Sequence, residues 1–252
     1  MGHYYDTDGN PCHQVTSKNG SLRDTIVTDA RKLGLVPSVS TLKETGVQFG
    51  LLTWMHNLLL DCAASNPYHS DGSDVDEWKK TVLKQYEKIR VIPQNRGSEI
   101  HDKLEKYYKT GEICSKDEQY LTPTIEFISK EFGSDVQWIA EESFCCRAEG
   151  FGGCVDLHSK KHNIIIDFKT KDKEKLSKSM QYDDHRMQLA AYQIGLNMPE
   201  DTKRYNLFIS TIVNTPGQCL LVEAKEFDKS LKMFYALRDY WIIKNNYDPR
   251  IV

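Results

Sequence analysis

The sequence has little of what marks a membrane, secreted or repetitive protein. Its longest apolar run, around Leu58-Leu59-Leu60, falls far short of the ~20 residues that a spanning helix needs. No segment repeats, and no stretch is of low complexity. An excess of positive charge is missing as well: 33 Lys+Arg against 36 Asp+Glu leave a net charge of −3. Any nucleic acid would therefore be held by a local basic surface and not by bulk charge. Cysteines number seven, an odd count scattered from Cys12 to Cys219, which excludes a simple disulfide framework and fits reduced thiols in a cytosolic-type compartment. The N-terminal Met1-Gly2-His3-Tyr4-Tyr5-Asp6 lacks a signal-peptide core and is too acidic for a transit peptide. Asp6 stands where a myristoylation signal wants Ser or Thr. A cytoplasmic location without membrane association is the expectation.

What is present suits a globular chain. The 252 residues, 39% hydrophobic and 27% charged, suffice for one large domain or two small ones with a real core. Tyr4-Tyr5 and Cys12 to Val15 flank Asp8-Gly9 as a hairpin would. Periodicity then predicts helices over 22–34, 40–64, 75–90, 97–110 and 117–132, with a polar loop from Asn66 to Asp74. Asp74 and Glu77 are spaced like a capping box. From Val136 to Phe168 the pattern becomes strand-like, punctuated by Gly150, Gly152 and Gly153. A helix over 182–196 is apolar nearly all round, strands at 203–213 and 218–225 share the Thr215-Pro216-Gly217 turn, and a last helix carries Phe227, Leu231, Phe234, Leu237 and Trp241. The expected architecture is one α/β domain over 1–252: a mainly helical half (1–132), a sheet-containing core (133–225) and a C-terminal helix (226–252).

The informative stretch is Gly152-Gly153-Cys154-Val155-Asp156-Leu157 followed by Ile164-Ile165-Ile166-Asp167-Phe168-Lys169-Thr170. If these are antiparallel strands joined by a turn at Lys160 to Asn163, opposed residues have numbers summing to 323. Leu157 then faces Ile166, and Asp156 faces Asp167. Opposed Cβ atoms lie about 4.5–5.5 Å apart, and two carboxylates that close repel unless a cation intervenes. Alternation puts Lys169 beside Asp167 and turns Val155, Leu157, Ile164, Ile166 and Phe168 to the other face. Two acids and an amine suit phosphodiester hydrolysis. Mg²⁺ takes oxygen ligands and keeps waters, and a bound ion acidifies one of them. The alternative is a solvated surface hairpin, disfavoured by the apolar run from Ile164 to Phe168.

Asp156 followed after ten residues by Asp167-Phe168-Lys169 resembles the metal-dependent PD-(D/E)XK nuclease superfamily. Gly97-Ser98-Glu99-Ile100-His101 resembles the G-x-x-hydrophobic-His helix of its RecB-like exonuclease branch. Gln188-Leu189-Ala190-Ala191-Tyr192 resembles the Q-x-x-x-Y helix of that branch, and Pro37-Ser38-Val39-Ser40-Thr41 the P-S-V-T-T segment of phage and mitochondrial genome-maintenance exonucleases. Val155 departs from the family's proline. The resemblance spans residues 37 to 192. It implies a restriction-endonuclease-like central mixed β-sheet flanked by helices, with a helical N-terminal half. It further implies a metal held by His101, Asp156 and Asp167, a catalytic set of Asp156, Asp167, Lys169, His101, Gln188 and Tyr192, and Mg²⁺ or Mn²⁺ in one or two ions. Glu105, a turn after His101, is the reserve ligand.

The resemblance thus implies a DNA exonuclease acting on ends, single-stranded ones included, in replication, recombination or repair, with room for a partner protein. No iron–sulfur cluster is expected, since only Cys219 follows Lys169. A zinc site from Cys145, Cys146, Cys154, His158 and His162 lacks knuckle spacing. Lys169, Lys171, Lys173, Lys175 and Lys178 could track phosphates. Lys80, Lys84 and Lys88 suit a solvated face, and Trp54 and Trp78 suit core packing better than base stacking. The rival readings are a non-catalytic nucleic-acid-binding protein on a nuclease-like fold, and an endonuclease or other phosphodiesterase using the same residues.

Overall fold

Short apolar runs broken by polar turns give the first 46 residues four short strands and two short helices, with strand at Leu22–Asp24 where helix was expected. The computed structural model describes residues 2–46, 49–68, 74–113, 118–212 and 214–251. In chain order the segment forms β1 (Tyr4–Tyr5), β2 (Gln14–Thr16), β3 (Leu22–Asp24), α1 (Val27–Leu33), β4 (Val36–Pro37) and α2 (Val39–Lys43). The expected helix over 22–34 is thus a strand followed by a two-turn helix that ends at Gly34, whose φ of 65° suits a residue without Cβ. Around Asp8-Gly9 the chain does turn, with Tyr5 bridging Pro11. The main partners differ from the expected hairpin: β1 pairs with β4, and β2 with β3. Two residues per strand carry too little pattern to reveal a partner thirty residues away.

Contacts divide the chain into two units, residues 1–46 with 101–252, and residues 47–100. The second unit holds α3 (Phe49–Ser65) and α4 (Val75–Arg90), where one helix had been expected to begin at 40. Asp74 caps α4 by accepting from the Asp76 N–H at 2.9 Å, not through the box with Glu77. Cys62, Val82 and Tyr86 form the core of this unit, with Trp78 packed against them and its Nε1 donating to the Asn66 carbonyl at 2.5 Å. Lys80, Lys84 and Lys88 are exposed, and Trp54 is 40% exposed. Residues 69–73 of the expected loop, 47 and 48 of the expected helix, and 117 and 213 at the expected element ends lie outside the described residues.

The remaining elements are α5 (Ile92–Thr110), α6 (Glu118–Phe132), β5 (Ile139–Cys146), β6 (Phe151–Ser159), β7 (Ile164–Lys171), α7 (Asp183–Gly195), β8 (Lys203–Ser210), β9 (Cys219–Glu223) and α8 (Phe227–Asn245). Helix α5 begins five residues before the expected 97 because Pro93 sits in its first turn, where no N–H is needed. Strands β5 to β9 make one mixed sheet in sequential order. All neighbours are antiparallel except β7 and β8, which run parallel through the α7 crossover. The expected mixed sheet flanked by helices is present.

Helix α7 is buried as its all-round apolarity requires. Met187, Leu189, Ala191 and Tyr192 join Phe151, Val155 and Ile165 of the sheet and Phe234 and Trp241 of α8 in one core. Burying a Val, Leu, Ile, Phe or Met side chain of this set contributes about 1.5–3 kcal/mol. The first half of β7 is buried on both faces, so Asp167 lies beneath α7 and not on an open surface.

Candidate active site

Register arithmetic holds along the apolar part of the β6–β7 hairpin. Leu157 pairs with Ile166, His158 with Ile165 and Ser159 with Ile164, each sum being 323. The regular ladder stops there. Asp156 makes no ordinary rung with Asp167; its Oδ2 accepts the Phe168 N–H at 2.6 Å. This bond fixes the Asp156 carboxylate at the point where the strands part.

His101, from α5, brings Nδ1 to 3.5 Å from Asp156 Oδ2 and sets its ring edge-on to Phe168 at 5.7 Å. Lys169 Nζ lies 2.6 Å from Asp167 Oδ2, and Asn206 Nδ2 donates to the same oxygen at 2.7 Å. Asn206 is itself held by Gln181 at 3.0 Å. The other oxygen of the fully buried Asp167, Oδ1, has no hydrogen-bond partner. A buried carboxylate oxygen left bare costs on the order of 1–3 kcal/mol.

Glu141 on β5 completes the cluster, and nothing in the sequence pattern singled it out. Ala140 pairs with Leu157 and Glu142 with Val155, but Glu141 between them makes no rung, and its φ is 52°. Left-handed backbone at a non-glycine costs about 1–3 kcal/mol and gathers at functional sites. Ligand atoms of Glu141, His101 and Asp156 all lie within 4.8 Å of one another. The reserve ligand Glu105 instead pairs with Lys109 at 2.5 Å. Among the described residues no other group of three or more His, Cys, Asp or Glu converges in this way, the zinc alternative included. Cys154 Sγ donates to Glu141 Oε2 at 2.8 Å, and burial with that carboxylate pushes its thiol up to about 12. His158 contacts Glu142 at 2.6 Å.

A cleft of about 270 Å³ is lined by His101, Glu141, Asp156, Asp167, Lys169, Gln188 and Tyr192, along with His3, Ser38 and Cys154. All six residues of the sequence-derived catalytic set therefore face one space. Gln188 Nε2 donates to the Tyr192 hydroxyl at 2.6 Å, one helical turn away. The Gln188 oxygen accepts from Lys43 Nζ at 2.8 Å, and Asp184 lies 3.6 Å from that ammonium. Lys43 closes α2, two residues after the Pro37 to Thr41 segment, and was also missed. A lysine at the end of a short helix has no sequence mark of where its amine reaches.

Charge crowding shapes the cluster. Burial pushes both aspartates up, but His101 and Lys169 overcome it at Asp156 and hold that carboxyl below its usual range. Asp167 stays above it, because the Asp156 charge adds to burial and outweighs Lys169. Burial and Asp156 raise Glu141 too. Burial lowers His101 and Lys169, yet the acids win and raise both. The donor set of three carboxylates and one imidazole, with one buried oxygen unpartnered, fits a divalent ion that prefers oxygen and tolerates nitrogen.

The sequence matches no protein-family model and no curated protein. Among solved structures it is similar to the crystal structure of SSO0001, with 13% identity over 75% of this chain and 85% of that one and a TM-score of 0.35. It is also similar to a phage related exonuclease from Haemophilus somnus 129PT, with 12% identity over 57% of this chain and 79% of the other and a TM-score of 0.32. Likeness at this level leaves function to be argued from the site itself.

Proposed function

We propose that the chain is a metal-dependent nuclease, and specifically an exonuclease that hydrolyses phosphodiester bonds at DNA ends in replication, recombination or repair. The observation that carries the reading is the convergence of Asp156, Asp167 and Lys169 with His101 and Glu141 in one cleft. Five titratable groups at close quarters, one with a bare buried oxygen, are costly for a fold and have use in chemistry on a polyanion.

Mg²⁺ or Mn²⁺ would be held by His101, Glu141 and Asp156, with Asp167 Oδ1 alongside, and when bound supplies Lewis acidity and an acidified water. The chain's own residues do the rest. Phe168 N–H and His101 fix the rotamer of Asp156. Lys169 neutralises Asp167 and, with three N–H donors, can orient the attacking water or hydrogen-bond the phosphoryl oxygens. Beyond the end of β7, the exposed Lys173, Lys175 and Lys178 offer a surface along which a strand's phosphates can run.

The test is digestion of end-labelled single- and double-stranded oligonucleotides, linear and circular, in Mg²⁺ and in Mn²⁺. Asp167→Ala and Lys169→Ala should each cut the rate by about 10³-fold or more, with the circular-dichroism spectrum unchanged, and EDTA should stop the wild-type reaction. Full activity in either variant would remove that residue from the catalytic site, and no cleavage by the wild type in either metal would leave a nucleic-acid-binding protein. Cutting of closed circles would make it an endonuclease.

A further inference from the structure

Hydrogen bonds have direction, and the chain of them that begins at Lys43 has only one available. A lysine ammonium donates and never accepts. Lys43 Nζ contacts Gln188 Oε1 at 2.8 Å and is kept company by Asp184 at 3.6 Å. The carbamoyl oxygen of Gln188 must therefore face Lys43, since a flipped amide would set N–H against N–H. With its oxygen committed, Gln188 presents its NH₂ to the Tyr192 hydroxyl, 2.6 Å away. Tyr192 accepts, so its own hydroxyl hydrogen is left to point elsewhere. The phenol is buried and lines the same cleft as Asp156, Asp167 and Lys169.

We infer that Lys43 is a positioning residue: through Gln188 it sets Tyr192 as a hydrogen-bond donor into the cleft, aimed at an oxygen of the bound phosphodiester. The assignment rests on the nuclease reading and gives that site a neutral donor in addition to Lys169. A neutral donor is useful where carboxylates crowd. It can approach a phosphoryl oxygen without recruiting a further counter-charge, and it rejects nothing that Lys169 accepts. It acts where charge builds on the phosphoryl oxygens, so its loss should lower kcat more than it raises KM.

The decisive substitution is Gln188→Glu. A carboxylate keeps the shape and strengthens the contact with Lys43, but it only accepts, so Tyr192 must turn its hydroxyl hydrogen to residue 188 and away from the cleft. Cleavage of a linear oligonucleotide by Gln188→Glu should fall by about as much as in Tyr192→Phe, on the order of 10²-fold, while the melting temperature stays at or above wild type. A packing role alone predicts the opposite, since nothing is lost from the core. Lys43→Met frees the amide to flip and should also lower kcat, Lys43→Arg should recover most of that loss, and Tyr192→Phe should cost less in the Lys43→Met background than in wild type. Wild-type kcat in Gln188→Glu, or full multiplicativity of the Lys43→Met and Tyr192→Phe effects, overturns the assignment. Lys169→Ala tells the two failures apart. If wild type cleaves, Lys169→Ala does not, and Gln188→Glu is unaffected, the relay alone falls. If wild type cleaves nothing in either metal, the nuclease reading falls and takes the relay with it.

Discussion

Glu141 shows what a single residue gives up for its place. Its backbone sits at φ 52° in the middle of β5, and the ladder skips it while pairing its neighbours on either side. The return is a carboxylate within 4.8 Å of ligand atoms on His101 and Asp156. If that return is metal binding, Glu141→Gln should weaken Mn²⁺ affinity by about tenfold or more, read by calorimetry on the intact chain without substrate. The apo melting temperature should rise or hold, since one of three crowded acids has been neutralised. Unchanged Mn²⁺ affinity would leave the ion to His101 and the two aspartates. Glu141 was illegible in the sequence for a plain reason. Its register with Asp156 depends on the irregular connection at 147–150, which no period predicts.

Helix α7 carries the prediction at the scale of an element. His185 in its first turn is 5% exposed, its Nδ1 accepts from the Tyr182 N–H at 3.3 Å, and Lys169, Lys171, Lys43 and Arg186 surround it. Burial, then those cations, pulls its pKa from 6.5 to about 2. The unfolded chain therefore binds a proton below 6.5 that the folded chain refuses until about 2. Stability is thus fully present above that upper value and falls as pH drops through the window. The loss is about 1.4 kcal/mol per pH unit once the unfolded imidazole is charged. Between about pH 6.5 and 5 this amounts to about 1.5 kcal/mol by urea denaturation, and His185→Gln should lack that component. Identical slopes for the two proteins would show that His185 takes its proton within the fold. Helix α7 itself was legible because a run apolar nearly all round and longer than a strand reads as a helix covered on every side. Strands β3 and β4 and the partners of β1 and β2 were not, because two or three residues cannot show alternation.

At the scale of the molecule, close approach between distant segments limits what the site can tolerate. A Cβ on Gly152 would meet the Phe144 carbonyl oxygen at 2.8 Å and Tyr5 Cβ at 2.9 Å. Gly152 also bridges Ser38, so β1, the start of α2, β5 and β6 all meet there. Gly195 ends α7 against the ring of Phe144, where a Cβ would overlap ring carbons at 2.0 Å. Backbone cannot yield as a side chain end can. Gly152→Ala should therefore cost about 1–3 kcal/mol, lowering the melting temperature by roughly 5 °C at this chain length. A melting temperature within a degree of wild type would mean that Tyr5 and the strand move aside cheaply.

By itself the sequence determined the register of the apolar part of the β6–β7 hairpin and the burial of α7. Each of these follows from short-range geometry: a four-residue turn fixes which residues oppose, and the side-chain periods of strand and helix fix which share a face. Only the tertiary structure decided that Glu141 and not Glu105 joins His101 and Asp156, that Asn206 holds Asp167, and that Lys43 reaches Gln188. Those contacts link segments that are 15 to 145 residues apart. Their partners are chosen by how sheet and helices pack, and packing leaves no period in the chain to read.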